Sequence, residues 1–408
     1  MLDQSKERKT VALGSVATIK SGGTPDRKNS KYWQNGGIPW ATTSEVNYSV
    51  ICETKEQISE EGLRNSAAKI FPKGTLLIAL YGQGKTRGQV GILGVDAATN
   101  QACAAILPNS DFDTEFMFYV LQNDYQRIRA LSNSGGQDNL SAELVREIRI
   151  PVASLTEQQK IAALLRTWDE ALEKLYALRA LNLRRRVWLR THLFTGKVRL
   201  PGFAGEWHKV PLSNVLHEHG SKSTGAEEVY SVSVHKGLVN QVEHLGRSFS
   251  AASTDHYNRV LPGDIVYTKS PTGDFPLGII KQSKIDSEVI VSPLYGVFTP
   301  QTFALGIILD ALFESPLAAR NYLHPLVQKG AKNTIAVTNK QFLEGKLYLP
   351  MDPNEQAAIA DVVNTSHAEL ACLDAEIKAV TDQKRGLMQK LLTGEWRVEV
   401  SDEGEAAA

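Results

Sequence analysis

The strongest constraint on the fold of this chain is an internal repeat at an offset of 198 residues. Residues 157–162 read EQQKIA and residues 355–360 read EQAAIA, while residues 193–199 read LFTGKVR and residues 391–397 read LLTGEWR. The offset holds without a gap, and 13 of the 43 residue pairs that it aligns are identical. Unrelated sequences would match at roughly one position in fifteen. The chain therefore contains the same segment twice.

The repeated segment is predicted to be a long helix of about 39 residues, or ~58 Å. In both copies apolar residues recur on a 4-3-4-3 rhythm, which is typical of a stripe that a helix buries against a partner helix. The polar residues Ser366 and Lys384 interrupt the rhythm in the second copy, and Arg179, Asn182 and Arg186 interrupt it in the first. We assign to the helix-pair interface Ile161, Leu165, Trp168, Leu172, Leu175, Leu189 and Leu193 of the first copy and Ile359, Val363, Leu370, Leu373, Ile377, Val380, Leu387 and Leu391 of the second.

The ends and charges of the two predicted helices complete this interpretation. Thr156 precedes the first copy and residues 353–354 (Pro-Asn) precede the second, as N-terminal signals. Gly196 and Gly394 stand where a helix end needs positive φ. Residues 151–200 hold 10 basic and 4 acidic residues, whereas the final 58 hold 5 and 12. Such complementary charge favours pairing of the helices with each other over two unrelated surface helices.

Two globular regions of similar size remain, and both are predicted to be α/β. Each has a Gly-flanked apolar strand, at residues 73–79 and 262–267, and an apolar helix candidate, at residues 116–131 and 305–323. Each ends in a strand, at Pro151 or Pro350. The predicted segments are a first domain (1–151), a first helix (152–199), a second domain (200–350), a second helix (351–398) and a disordered acidic tail (399–408).

We therefore expect two α/β (α+β) domains in tandem, separated by two long antiparallel coiled-coil helices with a pseudo-two-fold repeat. A two-fold relation would place the domains at opposite ends of a rod. Two similar frames with different loops suit the reading of two short DNA sequences at a fixed separation.

Composition narrows the classes of protein that this chain can represent. Net charge is zero, so a whole-chain basic excess is absent. The three cysteines form no Cys-x-x-Cys pair, which favours a reducing cytoplasm over a disulfide framework. We expect neither a secretory signal nor a membrane span. The nine histidines show no His-Glu-x-x-His spacing, and His217 and His219 are interpreted as an isolated, solvated pair.

Residues 82–86, which read GQGKT, resemble the end of a phosphate-binding P-loop. That loop needs a glycine where this chain has Ala79. Two alternatives remain open: a DNA phosphate contact through Lys85 and Arg87, or a plain connection between strands. No Pro-Pro pair is present, so the motif of amino-methyltransferases is absent too.

The order of these parts resembles the specificity subunits of type I restriction-modification enzymes. The EQ motifs after Pro151 and Pro350 are similar to the start of that family's conserved helices, and the two LTG motifs are similar to their ends. Residues 21–25 (SGGTP), with YW at 32–33 and GIPW at 37–40, resemble the start of a target recognition domain. Pro211 and Leu212 follow Trp207 as in the family, whereas the first domain lacks that tryptophan.

The resemblance covers almost the whole chain and implies a non-catalytic, cytoplasmic protein. It implies double-stranded DNA as ligand, two methyltransferase subunits docked along the helices, and two restriction subunits bound indirectly. S-adenosylmethionine would belong to the methyltransferase, and ATP and Mg to the restriction subunit. The target would be two unlike half-sites around a non-specific spacer, with centres roughly one helical turn apart. A scaffold that binds no DNA and a self-sufficient enzyme are the alternatives.

Base reading needs polar and basic side chains on loops that reach the major groove. Trp33 and Trp40 are expected to be core residues, and the arginines at 184–186 to contact the partner helix or the methyltransferase before DNA. The DNA-contact candidates are Lys20, Thr24, Arg27, Lys28, Lys31, Thr42, Thr43, Ser44, Gln83, Lys85, Arg87, Gln137 and Asn139 in the first domain and Lys222, His235, Lys236, Lys269, Thr272, Lys332 and Asn333 in the second.

Overall fold

The computed structural model describes residues 8–82, 84–132, 139–245, 254–329 and 335–399. The chain divides into two compact units, and each long helix contributes one half to each unit. Unit 1 comprises Met1–Tyr176 and Glu376–Ala408, and unit 2 comprises Ala177–Ala375. The domain boundaries inferred from the sequence stay predictions, because this division cuts through the helices instead of assigning each helix whole.

Two long helices account for most of the helical residues. They are α6 (Leu155–His192), of 38 residues, and α11 (Pro353–Thr393), of 41 residues. Helix α11 ends directly before Gly394 (φ 84°), as predicted, whereas α6 ends at His192, four residues before Gly196 (φ 68°). No helix of the described residues is both long and apolar enough to cross a membrane.

The N-terminal cap of α6 lies two residues before the predicted Thr156. The amide of Glu157 donates to Ser154 Oγ at 3.3 Å, so Ser154 caps the helix and Thr156 lies inside it. At the start of α11, Asp352 accepts from the amide of Asn354 at 2.9 Å, and Pro353 is the first helical residue. Proline suits that position because the first helical amides have no intrahelical partner.

Unit 1 has a five-stranded sheet, a four-stranded sheet and one further strand pair. Its elements before α6 are β1 (Thr10–Ala12), α1 (Leu13–Val16), β2 (Ala17–Ser21), β3 (Ile38–Ala41), β4 (Val50–Ile51), β5 (Glu56–Ile58), α2 (Glu60–Arg64), β6 (Ile70–Phe71), β7 (Leu76–Ala79), β8 (Val90–Leu93), β9 (Ala97–Thr99), β10 (Cys103–Pro108), α3 (Thr114–Asn123), α4 (Tyr125–Leu131), α5 (Ala142–Glu147) and β11 (Arg149–Pro151). The strand orders are β2-β10-β7-β8-β4, β5-β3-β9-β6 and β1-β11.

The five-stranded sheet is the centre of unit 1. Strand β7 is buried along its whole length, and β10 pairs with it and with β2 in antiparallel register. Helix α3 buries six consecutive residues, and these share one apolar core with sheet residues such as Ile78 and Ile106. A strand that is buried on both faces has a continuous apolar run in its sequence, and this pattern predicted strand β7.

Unit 2 repeats part of this frame. Its elements before α11 are β12 (His208–Pro211), β13 (Leu216–His217), β14 (Tyr230–Ser233), β15 (Gly237–Asn240), α7 (Gln241–Leu245), β16 (Asn258–Val260), β17 (Ile265–Tyr267), β18 (Ile280–Gln282), β19 (Val289–Val291), β20 (Gly296–Pro300), α8 (Phe303–Phe313), α9 (Pro316–Leu323), β21 (Gln328–Lys329), β22 (Ile335–Ala336), α10 (Asn339–Glu344) and β23 (Lys346–Leu349). The order β13-β20-β17-β18 in unit 2 matches β2-β10-β7-β8 in unit 1, and β12-β23 matches β1-β11.

Each apolar helix candidate proves to be two helices. The predicted helix at 116–131 breaks at Asp124, whose φ and ψ of −89° and 6° are not helical. The predicted helix at 305–323 breaks before Pro316, because the ring of proline cannot continue a helix. Ser315 then caps α9 by accepting from the amide of Ala318. The α/β assignment itself is confirmed.

Within each unit, the halves of the long helices contact each other. In unit 1, Ile161 and Leu165 share an apolar core with Met388 and Leu391. In unit 2, Leu193 and Phe194 share one with Ile359, Ala360 and Val363. Between these ends, ion pairs join Asp169 to Lys384 in unit 1, and Arg179 to Asp374 and Arg185 to Glu369 in unit 2.

Candidate nucleic-acid interface

Several loops of unit 1 meet at one edge of its central sheet. Ala79, the last residue of β7, lies opposite Cys103, the first residue of β10. The next amide, that of Leu80, donates to the carbonyl of Ala102 at 2.8 Å. Ser21, the last residue of β2, lies opposite Ala104 on the other side of β10. The loops after β2 and β7 and the loop before β10 therefore lie side by side.

The second sheet brings another loop to the same edge. Strands β3 and β9 are parallel, with Ala41 opposite Thr99 at their ends. The amide of Asn100 donates to the carbonyl of Ala41 at 3.1 Å. Because parallel strands end on the same side, the loop that follows Ala41 lies beside residues 100–102. Residues 22–25, 42–45, 80–82, 84–89 and 100–102 together form what we call the loop edge of unit 1.

The SGGTP motif is a packing element at this edge. A Cβ on Gly22 would collide with the backbone of Thr99, and a Cβ on Gly23 would collide with the backbone at Ala67. The amide of Gly23 donates to Thr99 at 2.8 Å, and Trp40 Nε1 donates to the carbonyl of Gly23 at 3.0 Å. The two glycines are thus needed for close approach of backbone to backbone.

Arg27 belongs to the same packed group. Its guanidinium lies 3.8 Å from the centroid of the Trp33 ring and forms an ion pair with Glu56. The hydrogen bonds from Arg27 lower the pKa of the Glu56 carboxyl. Trp33 packs edge-on to Trp40 at 5.0 Å, and Trp40 is buried. The prediction that Trp40 is a core residue is confirmed, while Trp33 is half-buried.

The DNA-contact candidates differ in how far they reach solvent. In the first domain Lys20, Arg27, Lys28, Lys31, Ser44, Lys85 and Asn139 are exposed, and Thr24, Thr42, Thr43 and Arg87 are half-buried. In the second, Lys222, His235, Lys236 and Thr272 are exposed, and Lys269 is half-buried. Gln83, Gln137, Lys332 and Asn333 lie outside the described residues. Contact of any of them with DNA stays a prediction.

Three hydroxyl groups on the loop edge, those of Thr24, Thr42 and Ser44, have hydrogen-bond partners within the protein. Thr24 Oγ1 donates to the side chain of Gln101, an exposed residue that the sequence analysis missed. Thr42 and Ser44 both donate hydroxyl hydrogen bonds to Glu45, at 2.7 and 3.0 Å. Burial acts to raise the pKa of Glu45, but these hydrogen bonds outweigh it and lower the pKa. No local sequence pattern links Thr24 to Gln101, since only the order of the strands brings the two residues together.

The loop that resembled a P-loop connects two antiparallel strands, β7 and β8. A P-loop leads from a strand into a helix whose N-terminus binds phosphate, so this geometry excludes one. The hydroxyl of Tyr125 on α4 donates to the carbonyl of Lys85 at 2.6 Å and accepts from Arg129 at 2.7 Å. The amide of Leu140 donates to Leu80 at 3.0 Å, which brings Asn139 close to this loop.

In unit 2 the corresponding loops follow β13 and β17. Tyr267 lies opposite Gly296 at the start of β20, and Lys269 and Thr272 lie in the loop beyond. Burial lowers the pKa of Lys269, and the nearby carboxylate of Glu218 opposes that change. Lys222 Nζ bonds to Asn258 Oδ1 at 2.6 Å.

The candidates His235 and Lys236 lie elsewhere in unit 2, at the turn of the β14–β15 hairpin. This hairpin is antiparallel, with Ser233 opposite Gly237 next to the turn. Both candidate side chains are exposed.

The interpretation of His219 as a solvated residue was wrong. Its Nε2 lies 3.0 Å from Asp264 Oδ2, and its Nδ1 accepts from the amide of Ser221. Asp264 is fully buried and also accepts from Thr299 Oγ1 at 2.6 Å. This network holds the loop after β13. His217 is exposed, as predicted.

The residues assigned to the helix pair are largely shielded from solvent. Ile161, Leu165, Leu193, Ile359, Val363, Leu370, Leu373, Ile377 and Leu391 are buried, and Trp168, Leu172, Leu175, Leu189, Val380 and Leu387 are half-buried. Lys384, a polar interruption of the apolar rhythm, is buried and forms an ion pair with Asp169. Asp169 also accepts from the hydroxyl of Tyr119 at 2.7 Å.

An ion pair also ties each EQ motif to the region of the other LTG motif. In unit 2, Arg199 binds Glu355 through two hydrogen bonds of 2.6 and 2.7 Å, and Trp207 Nε1 donates to the same carboxylate at 3.2 Å. In unit 1, Arg397 lies 3.5 Å from Glu157. The glutamate of each EQ motif therefore binds the segment that follows the other long helix.

The glutamine of each EQ motif joins its helix to the neighbouring domain. Gln158 accepts from the amide of Asp113, which caps α3, at 2.9 Å. Gln356 accepts from the hydroxyl of Thr302, which caps α8. Over the described residues, no group of three or more His, Cys, Asp or Glu side chains is placed to hold a metal ion.

Comparisons with known proteins agree with this architecture. Residues 5–181 match the family described as the type I restriction modification DNA specificity domain. The type I restriction enzyme MjaIX specificity subunit of Methanocaldococcus jannaschii is 30% identical over 169 residues, which are 40% of this chain and 38% of that protein. The Escherichia coli EcoR124I/EcoR124II specificity subunit is 25% identical over 162 residues, 38% of this chain and 40% of that protein.

These alignments span about two fifths of the relatives' length. Similarity of fold extends further. The crystal structure of the type I restriction-modification S subunit from M. genitalium has a TM-score of 0.59 at 16% identity and covers 96% of this chain and 98% of that one. The resemblance inferred from the sequence motifs is confirmed for residues 5–181, which are similar to the type I restriction modification DNA specificity domain.

Proposed function

We propose that this chain recognises a two-part DNA sequence for a type I restriction-modification complex and has no catalytic site of its own. The observation that carries the proposal is the loop edge of unit 1, where four separate loops with polar and basic side chains converge. Base edges in the major groove are read by such side chains, and phosphates by lysine and arginine. The loop after β17 in unit 2 would serve the second half-site.

The two long helices set the spacer between the half-sites in this proposal. Support comes from two contacts that occupy equivalent positions, because the 198-residue offset of the repeat relates their residues. Asp169 pairs with Lys384 in unit 1, and the equivalent residues, His367 and Arg186, lie 2.5 Å apart in unit 2. As residue numbers rise along α6, the numbers of the residues that they contact on α11 fall. This order favours an antiparallel coiled coil with a pseudo-two-fold axis.

Methyltransferase subunits would dock on the outward faces of these helices, and restriction subunits would bind through them. S-adenosylmethionine, ATP and magnesium would then belong to those partners. Several large apolar side chains of α6 are exposed, including Leu181 at 56% and Trp188 at 47%. Exposed apolar clusters of this kind mark sites of protein association.

Methylation sequencing tests the proposal directly. The chain is co-expressed with the methyltransferase of its own system in a host that lacks other adenine methylation. We expect methylated adenines in one sequence made of two short parts around a spacer of constant length. Methylation that requires only one contiguous sequence, or none that depends on this chain, would contradict the proposal and favour a scaffold that does not bind DNA.

A further inference from the structure

Equivalent loops of the two units each carry a lysine. In unit 1 the loop runs from β7 to β8 and contains the exposed Lys85. In unit 2 it runs from β17 to β18 and contains Lys269. Both have left-handed backbone, at Gly84 with φ 71° and at Lys269 with φ 58°. A loop of this kind needs side-chain contacts to hold one shape.

In unit 1 that contact comes from Tyr125. The hydroxyl donates to the backbone carbonyl of Lys85 itself, at 2.6 Å, and accepts from Arg129 one turn further along α4. The ring of Tyr48 packs edge-on against the Tyr125 ring at 6.0 Å. A Cβ on Gly88, at the end of the loop, would touch Arg129 and Ile128 at 3.4 Å. The loop is therefore seated on α4.

In unit 2 a different tyrosine holds the corresponding loop, at Leu277 and not at the lysine. Tyr267, the last residue of β17, is fully buried and donates its hydroxyl to the carbonyl of Leu277 at 2.8 Å. Its ring stacks on Phe342 at 4.9 Å and 19°. Thr268 Oγ1 accepts from the amide of Ile279 at 2.9 Å. The far side of the loop is thus held over the end of the strand from which it starts.

We propose that Tyr125 and Tyr267 are positioning residues, whose hydroxyl groups hold the loops that carry Lys85 and Lys269, so that each lysine binds a DNA phosphate. The inference rests on the proposed function and extends it, because it assigns these loops to contact with DNA phosphates and not to base reading. A loop already held in its bound shape loses less conformational entropy on binding. Phosphate contacts strengthen binding to every sequence and leave the recognised bases unchanged.

The test uses the full chain assembled with its methyltransferase and a duplex that contains the sequence methylated by the wild-type complex. Affinity is measured over a range of salt concentrations for Tyr125→Phe, Lys85→Ala and the double variant. We expect Tyr125→Phe to bind about five-fold more weakly, as for the loss of one hydrogen bond. The slope of log affinity against log salt concentration should become shallower by about one, as for one lost phosphate contact.

Two further observations distinguish positioning from general damage. The double variant should bind no more weakly than Lys85→Ala, because both changes remove the same contact. Tyr48→Phe is the matched control, since it keeps the ring against Tyr125, and should bind like the wild type. The methylated sequence should stay the same in all variants. In unit 2, Tyr267→Phe and Lys269→Ala should behave as the same kind of pair.

The inference is overturned if Tyr125→Phe lowers the melting temperature but leaves the salt dependence intact, or if its effect adds fully to that of Lys85→Ala. A changed half-site sequence would overturn it too, because the loop would then read bases. If the wild-type complex neither methylates nor binds any duplex, the proposed function itself fails. Normal wild-type binding with no effect of either phenylalanine variant rejects this inference alone.

Discussion

Arg8 donates two hydrogen bonds to the carboxylate of Glu157, at 2.8 and 2.7 Å, and its side chain is only 1% exposed. It also packs against Gly394, where a Cβ would come within 2.7 Å of Arg8 Cγ. In unit 2, Trp207 packs against Gly196 and bonds to Glu355. Arg8 thus takes the role in unit 1 that the family's tryptophan takes in unit 2, although the sequence motif is absent.

Replacing Arg8 by alanine is expected to lower the free energy of unfolding by about 3–5 kcal/mol, because the buried carboxylate of Glu157 loses its main partner. Arg8 holds the pKa of Glu157 below its ordinary value. Arg397→Ala is the matched control, since Arg397 is 54% exposed and lies 3.5 Å from the same carboxylate, and should cost under about 1 kcal/mol. Urea denaturation measures both, and equal losses would contradict this account.

Acid should destabilise unit 2 through Glu314. Burial acts to raise its pKa, but the hydrogen bond with His367 and the charges of Arg186 and Lys281 lower it to about 2, against an ordinary 4.5. A lowered folded-state pKa contributes stability that is present above about pH 4.5 and lost as pH falls toward 2, here about 3 kcal/mol.

Denaturation of the wild type and of Glu314→Gln between pH 2 and 7 tests this pH dependence. The variant should be less stable at pH 7 and should lose less stability on acidification than the wild type. Glu170→Gln changes an exposed carboxylate and should leave the profile unaltered. Parallel profiles for the wild type and Glu314→Gln would exclude Glu314 as the source.

Gly23→Ala should disrupt the loop edge of unit 1. The added methyl group would overlap the backbone at Ala67 and Ala68, which cannot move as a side chain would, so we expect a loss of at least about 1–3 kcal/mol. Gly37→Ala is the control, because a Cβ there meets nothing within 4 Å. Thermal melting checks the stability. A Gly23 variant as stable as the Gly37 variant would show that the predicted overlap is relieved.

The ion pair between Lys384 and Asp169 on the long helices should respond differently to the loss of each partner. Lys384→Met should change the free energy of unfolding by under about 1 kcal/mol, because the Asp169 side chain is 42% exposed and keeps solvent and the hydroxyl of Tyr119 as partners. Asp169→Ala should cost more, since it leaves the Lys384 ammonium, 9% exposed, without its carboxylate. Chemical denaturation compares the two. A larger loss for Lys384→Met would mean that the charge itself stabilises the helix pair.

The sequence predicted the features that depend on local pattern. The long helices follow from their apolar rhythm, and the positive φ at Gly196 and Gly394 follows from glycine tolerance of that conformation. The buried strand at Leu76–Ala79 follows from its apolar run. Helix starts were less accurate, because Ser154 and Thr156 are both capable caps and tertiary contacts decide between them.

What the sequence could not predict depends on contacts between distant segments. Arg8 replaces a tryptophan with a different chemistry, so a search for the family motif misses it. His219 looks like a surface residue until Asp264, 45 positions away, is found beside it. The pairing of Thr24 with Gln101 follows only from the order of strands in the sheet.

Domain exchange tests the central claim, that each domain reads its own half-site, most directly. Residues 200–350 are replaced by the corresponding domain of a type I specificity subunit with a different target, and the methylated sequence of the hybrid is determined. We predict that one half-site changes to that of the donor, while the other half-site and the spacer length stay as in the parent. A hybrid that methylates the parental sequence unchanged, or in which both half-sites change, would contradict the account.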